Sequence, residues 1–201
     1  VKETKPRIDR DTIDSEYTSG EYSLNRDEVH DVLDATTRPR DEMLLKLAVW
    51  TGMRRSDIVR AAWANFYPGE NTLYYREKKK SGVHRARLTD GMVNELKRYQ
   101  HTDDTNDVWL FDGQTQVKHG KGRVSSRTAY NIFKRALEQA GYDSRPFHSL
   151  RATCIKLCQE AGWSVAETAE HVNDTIETIQ RHYMTPTPGE MKSTMEEKPI
   201  L

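Results

Sequence analysis

No apolar run in the chain approaches the ~20 residues that a membrane-spanning helix needs. No positively charged, then apolar leader opens it either. Cysteine is nearly absent. Its two representatives, Cys154 and Cys158, stand four apart inside a stretch with helical spacing. Neither has further ligands close by in sequence, so the pair reads as core filling, not as a disulfide framework or a metal site. No acidic cluster with metal-ligand spacing stands out, which leaves two-metal phosphate chemistry unsupported. Neither metal nor cofactor is expected. Net charge is missing as well, with 31 basic against 31 acidic residues. No repeat period or low-complexity tract appears. The chain starts at Val1 and not at Met, and is read as a fragment of something longer.

What is present is an uneven distribution of that charge. Residues 1–42 hold 7 basic and 12 acidic groups, net −5, and residues 136–201 hold 6 and 10, net −4. Between them, residues 76–135 hold 14 and 7, net +7. A polyanion feels the local potential within a Debye length of ~8–10 Å, so a basic middle in a neutral chain is compatible with a phosphate backbone as partner.

The 201 residues suffice for one sizeable domain, or one domain and an appendage. Residues 1–22 are charged and aperiodic and read as a linker or arm. Asn25 and Glu28 form a capping box opening a helix, with Leu24 and Val29 as its hydrophobic staple. A second helix, Pro39 to Trp50, ends in "MLLKLAVW" and should be buried, with Gly52 as its stop. Trp50 and Trp63 are assigned to the core. A short helix follows from about Ser56 to Trp63. "NFYPGENTLYYRE" reads as a hairpin, and "KKKSGVHRARL" as a second turn at Ser81-Gly82 leading to a third strand. Helices resume near 90–100, 126–140, 147–161, 164–172 and 175–184. The fold class is α+β, mostly helical, with one small antiparallel three-stranded sheet.

Phosphodiester chemistry without a metal needs planar cationic forks for the charge that builds on non-bridging oxygens, a nucleophile, and a proton for the leaving oxygen. "TGMRRSDI" (51–58), "KKKSG" (78–82), "HSLR" (148–151) and "ETIQRHY" (177–183) supply such groups in that order. Together they resemble the tyrosine recombinases, the phage-integrase and Xer-like family, over about residues 23–185. The resemblance implies the tyrosine recombinase catalytic domain fold, with 1–22 as the linker from an absent N-terminal DNA-binding domain. It implies that 186–201 is a C-terminal tail that docks on a neighbouring subunit through Met191, Met195, Ile200 and Leu201.

The roles implied by the resemblance follow residue by residue. Tyr183, 32 positions past Arg151, is the nucleophile that forms a 3′-phosphotyrosine. Arg54 and Arg151 hold the non-bridging oxygens, Lys80 protonates the leaving 5′-oxygen, and His148 assists proton transfer. Asp57 orients an arginine or organises the local fold. The family's Gly-His step aligns with Val172-Asn173, so Asn173 stands in the place of the histidine, with His171 as the rival. Arg55, Lys78, Lys79, Arg85, Arg87, Lys121, Arg123 and Arg127 are the candidate DNA contacts. The implied partner is double-stranded DNA, with a monomer in solution and a tetramer on the recombination site. Action in the cytoplasm or at the nucleoid follows, in a host cell if the source is a virus or mobile element. Two other readings share many of these residues: a type IB topoisomerase, and a non-catalytic DNA-binding protein derived from the family.

Overall fold

The computed structural model describes residues 22–76, 82–102, 105, 107–117, 120–183 and 188–199, with backbone alone at 114–117, 120–121, 182, 188–191 and 193. Helix α1 (Arg26–Asp34) begins at the capping box read from sequence. Asn25 Oδ1 accepts from the Glu28 backbone N–H at 2.9 Å, and Glu28 Oε2 accepts from the Asn25 N–H at 2.7 Å. Two donors that the first turn leaves orphaned are thereby satisfied. Leu24 and Val29 are both in the core.

Helix α2 (Pro39–Thr51) is the central element. Leu44, Leu45 and Leu47 are fully buried, each contributing about 1.5–3 kcal/mol of transfer free energy. It stops at Gly52, whose φ is 61°. A Cβ there would also lie 2.8 Å from Val172 Cγ1, so both conformation and space require glycine. Trp50 corrects the sequence reading: its ring is 41% exposed, because the last turn of α2 faces a cavity instead of the core. Trp63 is buried as expected.

The short helix α3 spans Arg55–Ile58 only, not the stretch to Trp63. The chain beyond it pairs with a distant segment: Trp63 N–H donates to Val108 O, and Leu110 N–H to Ala61 O, both at 3.0 Å. Tertiary pairing overrides the local helical spacing. The antiparallel sheet β1 (Phe66–Tyr67), β2 (Thr72–Arg76), β3 (Val83–Arg87) follows, in register Phe66↔Leu73 and Leu73↔Ala86. The second expected turn, 77–81, lies outside the described residues. A further hairpin, β4 (Asp112–Val117) with β5 (Gly120–Arg123), was not expected, since "DGQTQV" and "GKGR" carry no apolar alternation.

Helices α4 (Asp90–Gln100), α5 (Ser126–Gln139), α6 (Ser149–Glu160), α7 (Val165–Val172) and α8 (Ile176–Tyr183) agree with the expected spans to within about two residues. The Ser164–Glu167 capping box is present at the start of α7. The tail departs from expectation: α9 (Pro188–Glu197) is helical although it lacks an apolar stripe. Proline at its first position and the helix formers Glu, Met and Lys account for it.

The core has two parts. The larger cluster packs α1, α2, α4 and α5 with the sheets and reaches Phe147 and Leu150. The smaller comprises Cys154, Ile155, Cys158, Ala169, Val172 and Ile179, with Val165 and Tyr183 against it. No helix among the described residues is long and apolar enough to cross a membrane.

Candidate active site

Three helix ends converge at the boundary of the two clusters. The turn after α2 brings Gly52 and Arg54, the start of α6 brings His148 and Arg151, and the loop after α7 brings Asn173 and Asp174. Phe147 is buried in the main core just before His148, which fixes where α6 begins.

Arg151 is the hub. Its side chain is 2% exposed. Nη1 donates to Gly52 O and to Val172 O, each at 2.7 Å, and Nη2 donates to Asp174 Oδ2 at 2.6 Å. One guanidinium therefore ties the ends of α2 and α7 to α6. Arg54 Nη2 stands 3.5 Å from the same Asp174 oxygen, so a single carboxylate sits between two guanidinium groups. Burial works to raise the Asp174 pKa, but the hydrogen bond and charge of Arg151, the Thr175 N–H and the Arg54 charge together hold it below the usual aspartate value.

Tyr183, at the end of α8, closes the cluster. His148 Nε2 and Tyr183 Oη are 2.7 Å apart. Burial, with the Asp174 charge adding to it, pushes the Tyr183 phenol up against the opposing charges of Arg151 and Arg54. The phenol is therefore protonated at neutral pH and needs an acceptor to become a nucleophile. An unprotonated His148 Nε2 is within reach to serve as one.

Four of the sequence candidates, Arg54, His148, Arg151 and Tyr183, thus meet in one place. Lys80, Lys78 and Lys79 lie outside the described residues, and so does the Lys121 side chain. Asn173 is the C-cap of α7 in the left-handed conformation, φ 56° and ψ 63°. Its Nδ2 is buried with no hydrogen-bond partner, as is Arg151 Nε. His171 is engaged elsewhere: Nε2 contacts Trp50 O at 2.8 Å, and the ring stands edge-on to Trp163. Asp57 is buried and accepts from Arg60 Nη2 at 2.8 Å and from Ser56 Oγ at 3.0 Å, so the arginine it orients is Arg60. Among the surface candidates, Arg55, Arg85, Arg87, Arg123 and Arg127 are exposed. Arg85 and Arg87 each lie 3.7 Å from Glu170, and Arg123 lies over the Trp109 ring.

Asp174 is the residue that motif reading missed. The signal available was Asn173: asparagine is, after glycine, the residue that most readily takes the left-handed conformation. A Gly-like position at 173 shifts attention to the side chain that follows it.

What this arrangement can do is hold a tetrahedral oxyanion between two arginine forks beside a phenol and an imidazole. Comparison with known proteins agrees. The phage integrase family profile matches residues 23–188. Among solved structures, XerA recombinase superposes with a TM-score of 0.70 at 17% identity, over 89% of this chain and 64% of that one. XerH site-specific recombinase, bound to palindromic difH substrate in a post-cleavage complex, gives 0.66 at 19%, over 89% and 52%. The catalytic domain of bacteriophage HP1 integrase gives 0.62 at 18%, over 89% and 95%. At these identities the structures share the fold, and the chain spans about half to two thirds of the length of the two Xer recombinases. None of the curated proteins compared with the chain matches it. The family profile covers most of the sequence, on the same fold and over the same cluster of side chains, and the chain belongs to the phage integrase family.

Proposed function

We propose that the chain is the catalytic domain of a site-specific DNA recombinase that cuts and rejoins DNA through a 3′-phosphotyrosine. The observation that carries this reading is the 2.7 Å contact of His148 Nε2 with Tyr183 Oη beside the Arg54–Asp174–Arg151 bridge. In the forward step Tyr183 Oη bonds to phosphorus and its proton passes to His148 Nε2. Arg54 and Arg151 balance the charge on the non-bridging oxygens. The bond from phosphorus to the 5′-oxygen breaks, and that oxygen leaves as a hydroxyl with a proton from Lys80. The reverse attack, by a 5′-hydroxyl from another duplex, restores the phosphodiester, so the bond energy is kept and no ATP is consumed.

In this scheme Asn173 takes the place of the glycine in the family's Gly-His step, and Asp174 takes that of the histidine. Asp174 holds the two arginines in position until a phosphate displaces it, and the unpartnered Arg151 Nε and Asn173 Nδ2 gain an acceptor. Arg55, Arg85, Arg87, Arg123 and Arg127, with Lys78, Lys79 and Lys121, line the DNA, and binding weakens steeply with salt. An N-terminal domain before residue 23 completes the clamp, and α9 docks on a neighbouring protomer in a tetramer, where Met195, 62% exposed, is an available side chain. Integration of a viral or other mobile element, within the cytoplasm or nucleoid of its host, is the setting that suits this chemistry.

The test is a trapping assay with a nicked duplex carrying the recombination site. A denaturation-resistant protein–DNA adduct that forms with the protein and not with Tyr183→Phe supports the reading. Adducts from both, or from neither when the full-length protein is used, overturn it. The second outcome favours a non-catalytic DNA-binding protein of the same fold, a reading supported by one observation: a carboxylate, Asp174, stands in the anion clamp.

A further inference from the structure

The smaller core cluster contains three side chains that no step of the strand-transfer scheme uses. Cys154 and Cys158 stand one turn apart on α6, so their sulfurs share a helix face. His171 comes from the last turn of α7, and only the packing of α7 on α6 brings it to them. The two sulfurs and a ring nitrogen of His171 all lie within 4.8 Å of one another. Cys154 and Cys158 are 3% and 8% exposed. Nothing in the sequence spacing gives the cysteine pair a third ligand; the fold does.

The surroundings suit a bound ion. All three residues line one cavity of about 500 Å³, whose walls include Val49, Leu157 and Trp163. The imidazole orientation is held by the Nε2 contact to Trp50 O and by the Trp163 ring, the kind of outer support that fixes a metal-bound histidine. The two thiols already share a proton: Cys154 donates to Cys158, which raises the first and lowers the second, so Cys158 is poised to ionise.

We propose that Cys154, Cys158 and His171 form a binding site for a soft divalent cation of the zinc type, with the fourth position open to the cavity. Two thiolates and one neutral imidazole are a zinc donor set, with bonds of about 2.3 Å to sulfur and about 2.0–2.1 Å to nitrogen. Binding replaces two S–H bonds by two metal–sulfur bonds and releases two protons to solvent. A dication with two thiolates is neutral overall, which lowers the desolvation penalty in an apolar wall. The occupied site joins three segments that position the anion clamp: the end of α2 through Trp50, α6 one turn beyond Arg151, and α7 just before Asp174. The ion acts there as a staple, with no part in the strand transfer.

The test uses cobalt(II) as probe on the reduced, chelator-treated 201-residue chain. The expected result is one equivalent bound, with tetrahedral d–d absorption and a thiolate-to-cobalt charge-transfer band, both bleached by zinc(II). Zinc raises the melting temperature. Cys154→Ser, Cys158→Ser and His171→Ala each weaken cobalt binding by more than the roughly 10–100-fold that loss of an outer-shell partner costs. A folded wild-type chain that shows no thiolate–cobalt band overturns the proposal. So does binding that is unchanged in a folded Cys158→Ser chain. The readout is metal binding itself, so it stands or falls apart from recombination.

Discussion

The arginines and the tyrosine of the site are anchored in two regions of different size. Arg54 follows Met53 and precedes Ile58, both part of a cluster of 31 buried residues. Tyr183 packs against a cluster of six, and its own helix, α8, contributes one of them, Ile179. Arg151 stands where they join, since α6 gives Leu150 to the first cluster and Cys154 and Ile155 to the second. The anion clamp is thus built on the part that unfolds last, and the nucleophile on a part that local opening can release at lower free energy. A recombinase that must attack, hold and then resolve a covalent intermediate gains from that division: the clamp stays preorganised while the tyrosine helix moves.

The joint should be the most sensitive point. Arg151→Ala removes a buried cation, strands Asp174 and leaves the Gly52 and Val172 carbonyls without their shared donor. A loss of about 3–5 kcal/mol is expected, as for other broken buried pairs, and urea unfolding measures it. A loss below about 1 kcal/mol would mean that the two regions are held together by apolar contact alone.

Next come matched truncations. Leu47→Ala in the large cluster should cost about 2–5 kcal/mol and lower the single thermal transition of the domain. Ile179→Ala removes a comparable volume, yet its penalty is capped by the free energy of undocking α8. The expectation is faster hydrogen exchange along α8 and less phosphotyrosine adduct, with a smaller change in melting temperature. Equal falls for the two variants would show one cooperative unit and break the comparison.

The same division explains what could be read from sequence. Residues that act through their own side chains on regular helices were legible: His148, Arg151 and Tyr183 lie on elements whose spans follow from apolar spacing and caps. Asp174 was not, because its position follows from a backbone angle, the left-handed φ at Asn173, that turns the chain after α7. Trp50 was assigned to the core because its neighbours are apolar, but burial depends on which helix lies opposite, and α6 and α7 leave a cavity there. The β4–β5 hairpin and the early end of α3 were likewise decided by pairing partners far along the chain. Cys154 and Cys158 read as core filling, and both are buried; that His171 joins them is a fact of tertiary packing.

Acid pH separates Asp174 from the rest of the clamp. Its folded pKa is depressed, so its contribution to stability is full above the unfolded value of 3.8 and is lost as pH falls below it. Asp174→Asn keeps the shape and removes the charge. The stability gap between the two proteins, measured by urea unfolding from neutral pH downward, should therefore narrow below about 3.8. A gap that stays constant would place the interaction in hydrogen bonding, not in charge.

The smallest expected change in stability belongs to the residue with the largest expected effect on activity. Tyr183→Phe leaves the ring against Ile179 and Val165 and removes one hydroxyl. The lost partner is His148 Nε2, in an exposed contact that water can replace, so the penalty is at most about 1 kcal/mol. The sign of the pH dependence sharpens this. The folded Tyr183 phenol has a raised pKa, so its contribution is complete below 10.0 and is lost as pH rises through the folded value. The variant should match the parent at pH 7, with less loss of stability at alkaline pH, and should form no adduct at any pH. A drop of more than about 2 kcal/mol at neutral pH would assign the hydroxyl to holding α8 in place. The small region would then depend on its nucleophile for its own packing, and the separation of clamp from tyrosine would fail at the residue where it matters most.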